Sequence, residues 1–371
     1  MNNWVKFILI FLLLLVPASG CIEEFIPDVE ETKEMIVVEG LVTDQNRTNR
    51  VKISKSLPIG RALARKPVRA AKVTIIDDLG FVTTLKETDP GIYSTDSTSF
   101  RGVVGRKYAL RIESSGFIYE TDYIEMKPVP PIDSLYWEKI LITQSDNPAE
   151  IEEGCKIYLD THDPNRKCFY FRWEYEETWE FWLPYQVPNN RCWVTEKSDR
   201  IMIKNASIYN QPKVTKFPVT FITNETDRLK VRYSILVKQY SLNADEYKFW
   251  EKIQNVSENV GSLYDVIPMA IKGNIRCTNK PSETVLGYFS VSAVTEKRIF
   301  IKDWFKGIPN FYWYCPTDTI FGRLPEEGRN VTWWVIEDGS SYRPPYWVTT
   351  IHRECADCTT RGTNIKPSFW P

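Results

Sequence analysis

Histidine is almost missing from this chain. Its 371 residues include only His162 and His352, which speaks against a multi-histidine metal centre and against histidine-based acid–base or triad chemistry. Positive charge is not in excess either: 47 Lys and Arg face 48 Asp and Glu, a net charge of −1. A chain without a basic face has little to neutralise phosphates with, so nucleic acid is not an expected partner. There is no G-x-S-x-G, no Walker loop, no G-x-G-x-x-G and no H-E-x-x-H, so no catalytic residues, cofactor or metal are expected. Long apolar runs are also lacking. The run from Phe7 to Val16 is too short to cross about 30 Å of hydrocarbon as a helix.

What that short run does fit is an export signal. MNNWVKFILIFLLLLVPASGC has one early positive charge (Lys6), an apolar core and the small residues Ala18, Ser19 and Gly20 before Cys21. This is the layout of a cleaved secretory signal, residues 1–20. A cysteine directly after small residues resembles a bacterial lipobox, which makes Cys21 the candidate lipidation site; Ala18 stands where Leu is commoner. More than one acyl chain on that residue anchors a protein stably in a membrane. Residues 21–34 follow as an acidic tether, with Glu23 and Glu24 beside the lipid site.

The full chain is 43% hydrophobic and 13% aromatic, enough to build real cores, and the length left after the signal suits two domains. Residues 35–127 read as a small all-β domain. MIVVEGLV, VKISKS, AKVTIIDD and KYALRIES are short β-branched runs separated by turn residues such as DDLG and TDPG. In KYALRIES, Tyr108, Leu110 and Ile112 face one way and Arg111 and Glu113 the other, as in a half-buried strand. The expected class is mainly β, with an immunoglobulin-like or transthyretin-like sandwich first. KPVPPIDSL, with three prolines in five residues, stiffens the chain and sets a boundary at 127/128.

Residues 128–371 read as a larger β-rich domain carrying one helix near 243–256. In NADEYKFWEKIQNV, Asn243 is an N-cap candidate and Glu246 completes a near capping box. Leu242 is placed to staple onto Tyr247, and Tyr247, Trp250 and Ile253 form a stripe at helical spacing, more naturally core than a ligand box. CKIYLDTHDPNRKCFYFRWEYEE reads as two strands about the turn HDPN, a hairpin that places Cys155 opposite Cys168. Its second strand turns Phe171, Trp173 and Tyr175 inward and Arg172, Glu174 and Glu176 outward.

Seven cysteines lie beyond Cys21: Cys155, Cys168, Cys192, Cys277, Cys315, Cys355 and Cys358. In an exported protein they are disulfide candidates, and an odd count leaves at least one unpaired within the chain. His352, Cys355 and Cys358 form an H-x-x-C-x-x-C cluster. As a zinc site it is one ligand short, and as a redox pair it lacks a helix N-terminus. Two disulfides to distant cysteines are the simplest reading, with connectivity left open. Elsewhere, Trp179, Trp182 and Tyr185 sit where a strand breaks toward Pro184 and Pro188. They are candidate ligand-binding rings, in competition with ordinary packing. Glu174, Glu176, Glu177 and Glu180 could serve a glycosidase only if two of them converged across a sugar; a solvated sheet face is the plainer reading.

Lipobox, VVEG, Cys192-Trp193, QYSLNADEYKFWEKI, GSLYDVIPMAIKGNI, VLGYFSVSAVTEKRIFI and the closing C-x-D-C…KPSFW, in that order, together resemble the Bacteroidetes lipoprotein family of domain of unknown function 4249. The resemblance implies a lipid-anchored outer-membrane protein facing the cell exterior, with the acidic tether as an export signal. It implies a non-enzymatic accessory role beside a TonB-dependent transporter, handling a small glycan, peptide or metal complex. Asp96-Ser97-Thr98, Asp133-Ser134-Leu135 and Asp318-Thr319-Ile320 resemble O-glycosylation sequences of the same phylum. A surface hydrolase for glycans or peptides, or a structural or adhesive module, are the alternatives.

Overall fold

The computed structural model describes residues 34–56, 66–143, 151–208, 211–258, 271–309, 315–323 and 334–371; the signal segment, Cys21 and nearly all of the tether fall outside them. The protein is mainly β, with one α-helix, Ala244–Glu258, among the described residues. No helix among those residues is long and apolar enough to cross a membrane.

Two six-stranded sheets form the first unit. One runs Val285–Ser292, Ile36–Thr43, Arg50–Lys55, Ile92–Ser94, Lys86–Asp89, with Lys66–Pro67 alongside. The other runs Ile275–Cys277, Phe117–Thr121, Lys107–Ser114, Lys72–Asp77, Val82–Thr84, with Ile124–Glu125 alongside. Alternation explains their shared core. Val38, Ile53 and Phe289 from the first sheet meet Ile75, Leu110 and Ile112 from the second, all essentially inaccessible. Tyr108 is buried with them while Arg111 and Glu113 reach solvent, as the period-2 pattern requires.

The first unit does not end at the proline-rich connection. Strands Ile275–Cys277 and Val285–Ser292 return to complete both of its sheets, the latter parallel to Ile36–Thr43. The polypeptide re-enters the second unit at once, because Val294–Ile301 pairs with Arg232–Leu242. A sequence boundary marked by prolines cannot register such a return, since the returning strands look like any others. Ser241 holds the crossing point: its hydroxyl donates to the Lys127 carbonyl at 2.6 Å and accepts from the Ala293 amide at 3.1 Å.

The second unit packs a three-stranded sheet (Ile132–Thr143, Ile151–His162, Lys213–Ile222) against a five-stranded one built on Tyr170–Trp182 and Arg232–Leu242. Ile157 and Leu159 from one meet Phe171, Trp173, Tyr233 and Ile235 from the other. The Trp173 indole donates to the buried Gln239 at 2.8 Å, and Gln239 donates in turn to the Pro130 carbonyl at 2.8 Å. That bond fixes the proline connection to the core. A third sheet joins Asp318–Phe321, Tyr346–Thr350 and Trp334–Gly339.

The HDPN hairpin expected from the sequence does not form. Both strands exist, but they belong to different sheets. Asp163 is the reason: its carboxylate accepts from the amides of Asn165, Lys167 and Cys168 at 2.7–2.9 Å. Those amides would otherwise begin a hairpin ladder, and the chain instead crosses from one sheet to the other. Cys155 and Cys168 therefore remain separate thiols in the common core.

The helix begins as read, with the Tyr247 amide bonded to the Asn243 carbonyl at 2.9 Å. Leu242 and Tyr247 share a small cluster, the staple expected at this end. The capping box is absent. Asn243 donates its side-chain amide to the Glu125 carbonyl, and Glu246 turns inward.

Candidate functional site

The site grows from the outer face of strand Tyr170–Trp182. Odd-numbered residues Phe171, Trp173, Trp179 and Phe181 fill the second core, so even-numbered ones point the other way. That outer face is not solvent at Arg172, which is only 8% exposed. The helix covers it. The guanidinium lies between the rings of Tyr240, 4.6 Å away on the neighbouring strand, and Trp250, 4.7 Å away on the helix. Nη1 donates to Glu174 at 2.6 Å, and the Tyr240 hydroxyl donates to the other oxygen of the same carboxylate at 2.9 Å. Two rings and an ion pair hold the side chain in one orientation, while Nε is buried without a hydrogen-bond partner.

Beside Arg172 lies a cavity of about 480 Å³ at the junction of the two units. Its walls are mainly apolar: Leu41 and Leu286 come from the parallel strand pair of the first unit, and Phe249, Trp250 and Ile253 from the helix. The volume lies within the range of small-molecule sites, and domain junctions are a usual place for them. Glu246 stands behind Trp250 and Ser290, which both line the cavity. It is wholly buried, accepts from the Trp250 indole at 3.3 Å and leaves Oε2 without a partner. Burial pushes its carboxyl up to about 6, against the pull of the Ser290 hydrogen bond and the Arg172 charge.

The rings singled out in the sequence do not form one platform. Trp179 is 2% exposed and packs in the second core. Trp182 is on the opposite face of the same strand, 48% exposed, with Arg191 over its ring. Tyr185 is half-buried against the core. One odd and one even position cannot present both tryptophans to a single sugar. Nor are the nearby carboxylates a solvated face throughout. Glu177 is buried, accepting from Tyr233 at 2.7 Å and Arg228 at 2.8 Å. Glu180 is buried among Arg191 and the indoles of Trp182 and Trp370. Burial opposes its ionisation, but those donors outweigh burial and hold the carboxyl below its usual range.

The terminal cysteines are in two disulfides, Cys192–Cys358 and Cys315–Cys355. Cys155, Cys168 and Cys277 are free and buried. Among the described residues no group of three or more His, Cys, Asp and Glu side chains is placed to hold a metal ion. After Cys358 the chain pairs with Trp193 through Thr363, and Arg361 reaches the buried Asp227. The H-x-x-C-x-x-C segment is thus the anchor of a terminal strap.

Sequence reasoning passed over the cavity because its lining comes from six separate stretches. The local signal was Glu246, a carboxylate inside an aromatic helical stripe.

Fold and cavity together define a mainly β protein with two cores and a small-molecule-sized space where they join. The chain belongs to the family described as Domain of unknown function (DUF4249), which it matches over residues 22–298. The match stops before Cys355, Cys358 and KPSFW, on which part of the resemblance rested. No curated protein matches it.

Proposed function

We propose that this protein is a surface-exposed outer-membrane lipoprotein, anchored through acylated Cys21, that binds a small ligand and assists its uptake by a TonB-dependent transporter. It acts by binding, without catalysis. The observation that carries this reading is the junction cavity, with an apolar lining and an Arg172 already oriented before any ligand arrives. Fixing the polar group in advance lowers the ordering cost of binding. The anchor rests on the lipobox, the surface exposure on the acidic tether, and the transporter on the family resemblance.

The test is extraction of native membranes in mild detergent, followed by pull-down on the tagged lipoprotein. Recovery of a TonB-dependent barrel is expected, and its absence would count against the uptake role. Labelled palmitate should enter the wild-type chain and not Cys21→Ala. A Cys21→Ala chain that still pellets with membranes would rule out the lipid anchor.

A further inference from the structure

Two arginines, Arg50 and Arg172, line the junction cavity. The charged side chains that line it are Glu39, Arg50, Arg172 and Glu174, with the Tyr288 phenol beside them and the buried Glu246 behind Trp250 and Ser290. Glu174 is taken by Arg172 and Tyr240. Glu39 lies 3.7 Å from Lys52. Arg50 is exposed and has no carboxylate partner among the described residues. Further inside, Arg172 has spent Nη1 on Glu174 while Nε makes no hydrogen bond. The side-on edge that Nε shares with Nη2 is the one that grips carboxylates in two parallel bonds. Behind these groups most of the wall is apolar, from Leu41, Phe249, Ile253 and Leu286, with Tyr288 and Ser290 as its few hydroxyl groups. A sugar would bury several hydroxyls there unpaired, and each one weakens binding.

We propose that the cavity takes an apolar carboxylate, its aliphatic or aromatic body against Phe249, Ile253 and Leu286 and its carboxylate between Arg50 and Arg172. This deepens the uptake reading and rests on it, by selecting an apolar acid over a glycan as the cargo. Arg50 supplies long-range attraction and the outer contact. Arg172, immobilised by its two rings, supplies orientation. A molecule of roughly ten carbons suits a space of this size.

The experiment uses the full chain in detergent, with detergent-only blanks, titrated calorimetrically with 4-phenylbutyrate and with 4-phenylbutan-1-ol. The acid should bind about tenfold or more tightly than the alcohol, because only the acid makes charge-assisted bonds. Arg50→Gln, at an exposed position that tolerates change, should weaken the acid about two- to fivefold and leave the alcohol unchanged. Ile253→Trp should fill the cavity from the helix and abolish binding of the acid, with the circular dichroism spectrum retained. Equal affinity for acid and alcohol, an unaffected Arg50→Gln, or full binding by a folded Ile253→Trp would each overturn the proposal. Failure of the acid to bind while a barrel still co-purifies overturns the cargo and spares the uptake role; binding without a barrel does the reverse.

Discussion

Arg361 and Asp227 meet through two hydrogen bonds of 2.6 Å, although 134 residues separate them. Asp227 is 2% exposed, so its charge has almost no water to fall back on. The Arg361 guanidinium also lies 4.5 Å from the Phe181 ring centroid. Removing one member of such a pair strands the other. Asp227→Ala or Arg361→Ala should therefore cost about 3–5 kcal/mol, read by urea denaturation. The double variant should cost less than the two single losses added together. Strict additivity would show that the pair is not coupled.

How far this was legible depended on range. Tyr108, Leu110 and Ile112 announced a half-buried strand because alternation is local, and Leu242–Asn243 marked the helix start for the same reason. Arg172 was legible only as pointing away from its own core; that a helix 70 residues later would cover it requires tertiary packing. Cys155 and Cys168 were misplaced because Asp163, a residue ordinarily read as a turn former, gathers three amides and sends the chain across to another sheet. The return of Val285–Ser292 into the first unit depends on a parallel pairing that no turn signal accompanies.

The cysteines give the next prediction. Non-reducing peptide mapping should recover the Cys192–Cys358 and Cys315–Cys355 links. Burial pushes the Cys155 and Cys168 thiols up to about 12, so neither should react with a thiol reagent near pH 8 until the protein unfolds. Denatured chain should then show three reactive thiols, or a fourth wherever Cys21 carries no lipid. Replacing Cys192 and Cys358 by serine should cost about 2–5 kcal/mol. A mapped Cys155–Cys168 link would contradict the structure.

Glu246 makes stability depend on pH. Its carboxyl lies near 6 in the folded protein against an ordinary 4.5. Below the lower value both states hold the proton and the group is neutral to stability. As pH rises through this window the unfolded chain gives up its proton first, so the folded state loses ground until about pH 6. The full loss, about 2 kcal/mol, persists at neutral pH. Glu246→Gln cannot ionise. Relative to wild type it should gain about 2 kcal/mol between roughly pH 4 and pH 7.5, in denaturant titrations at both. A difference that stays flat with pH would remove Glu246 as its source.

The terminal strap offers a conservative test. The Trp370 indole donates to buried Glu180 at 3.1 Å and meets the Phe300 ring edge-on. Trp370→Phe keeps most of the ring and removes the donor, so it should cost about 1–3 kcal/mol through the carboxylate left short of one partner. Trp370→Ala removes the packing as well and should cost more. If the two variants are equal, the indole N–H is the whole contribution.

The junction itself can be broken at one atom. Gly287 lies in the strand that returns to the first unit, with φ +88, and a Cβ there would come within 2.1 Å of the Val38 carbonyl oxygen. That oxygen belongs to Ile36–Thr43, the parallel partner, and backbone on both sides leaves no side chain free to yield. Gly287→Ala therefore strains φ and pushes the two strands apart together. The first unit should loosen at Val285–Ser292 while the second, whose core lies elsewhere, stays folded. Hydrogen exchange checks this directly. Amides of Ile36–Thr43 and Val285–Ser292 should lose protection in the variant, while those of Tyr170–Trp182 and Arg232–Leu242 keep theirs. Because Leu41 and Leu286 wall the cavity, 4-phenylbutyrate binding should fall in the same variant. Unchanged protection across the strand pair would mean that the close approach at Gly287 does not hold Val285–Ser292 against Ile36–Thr43.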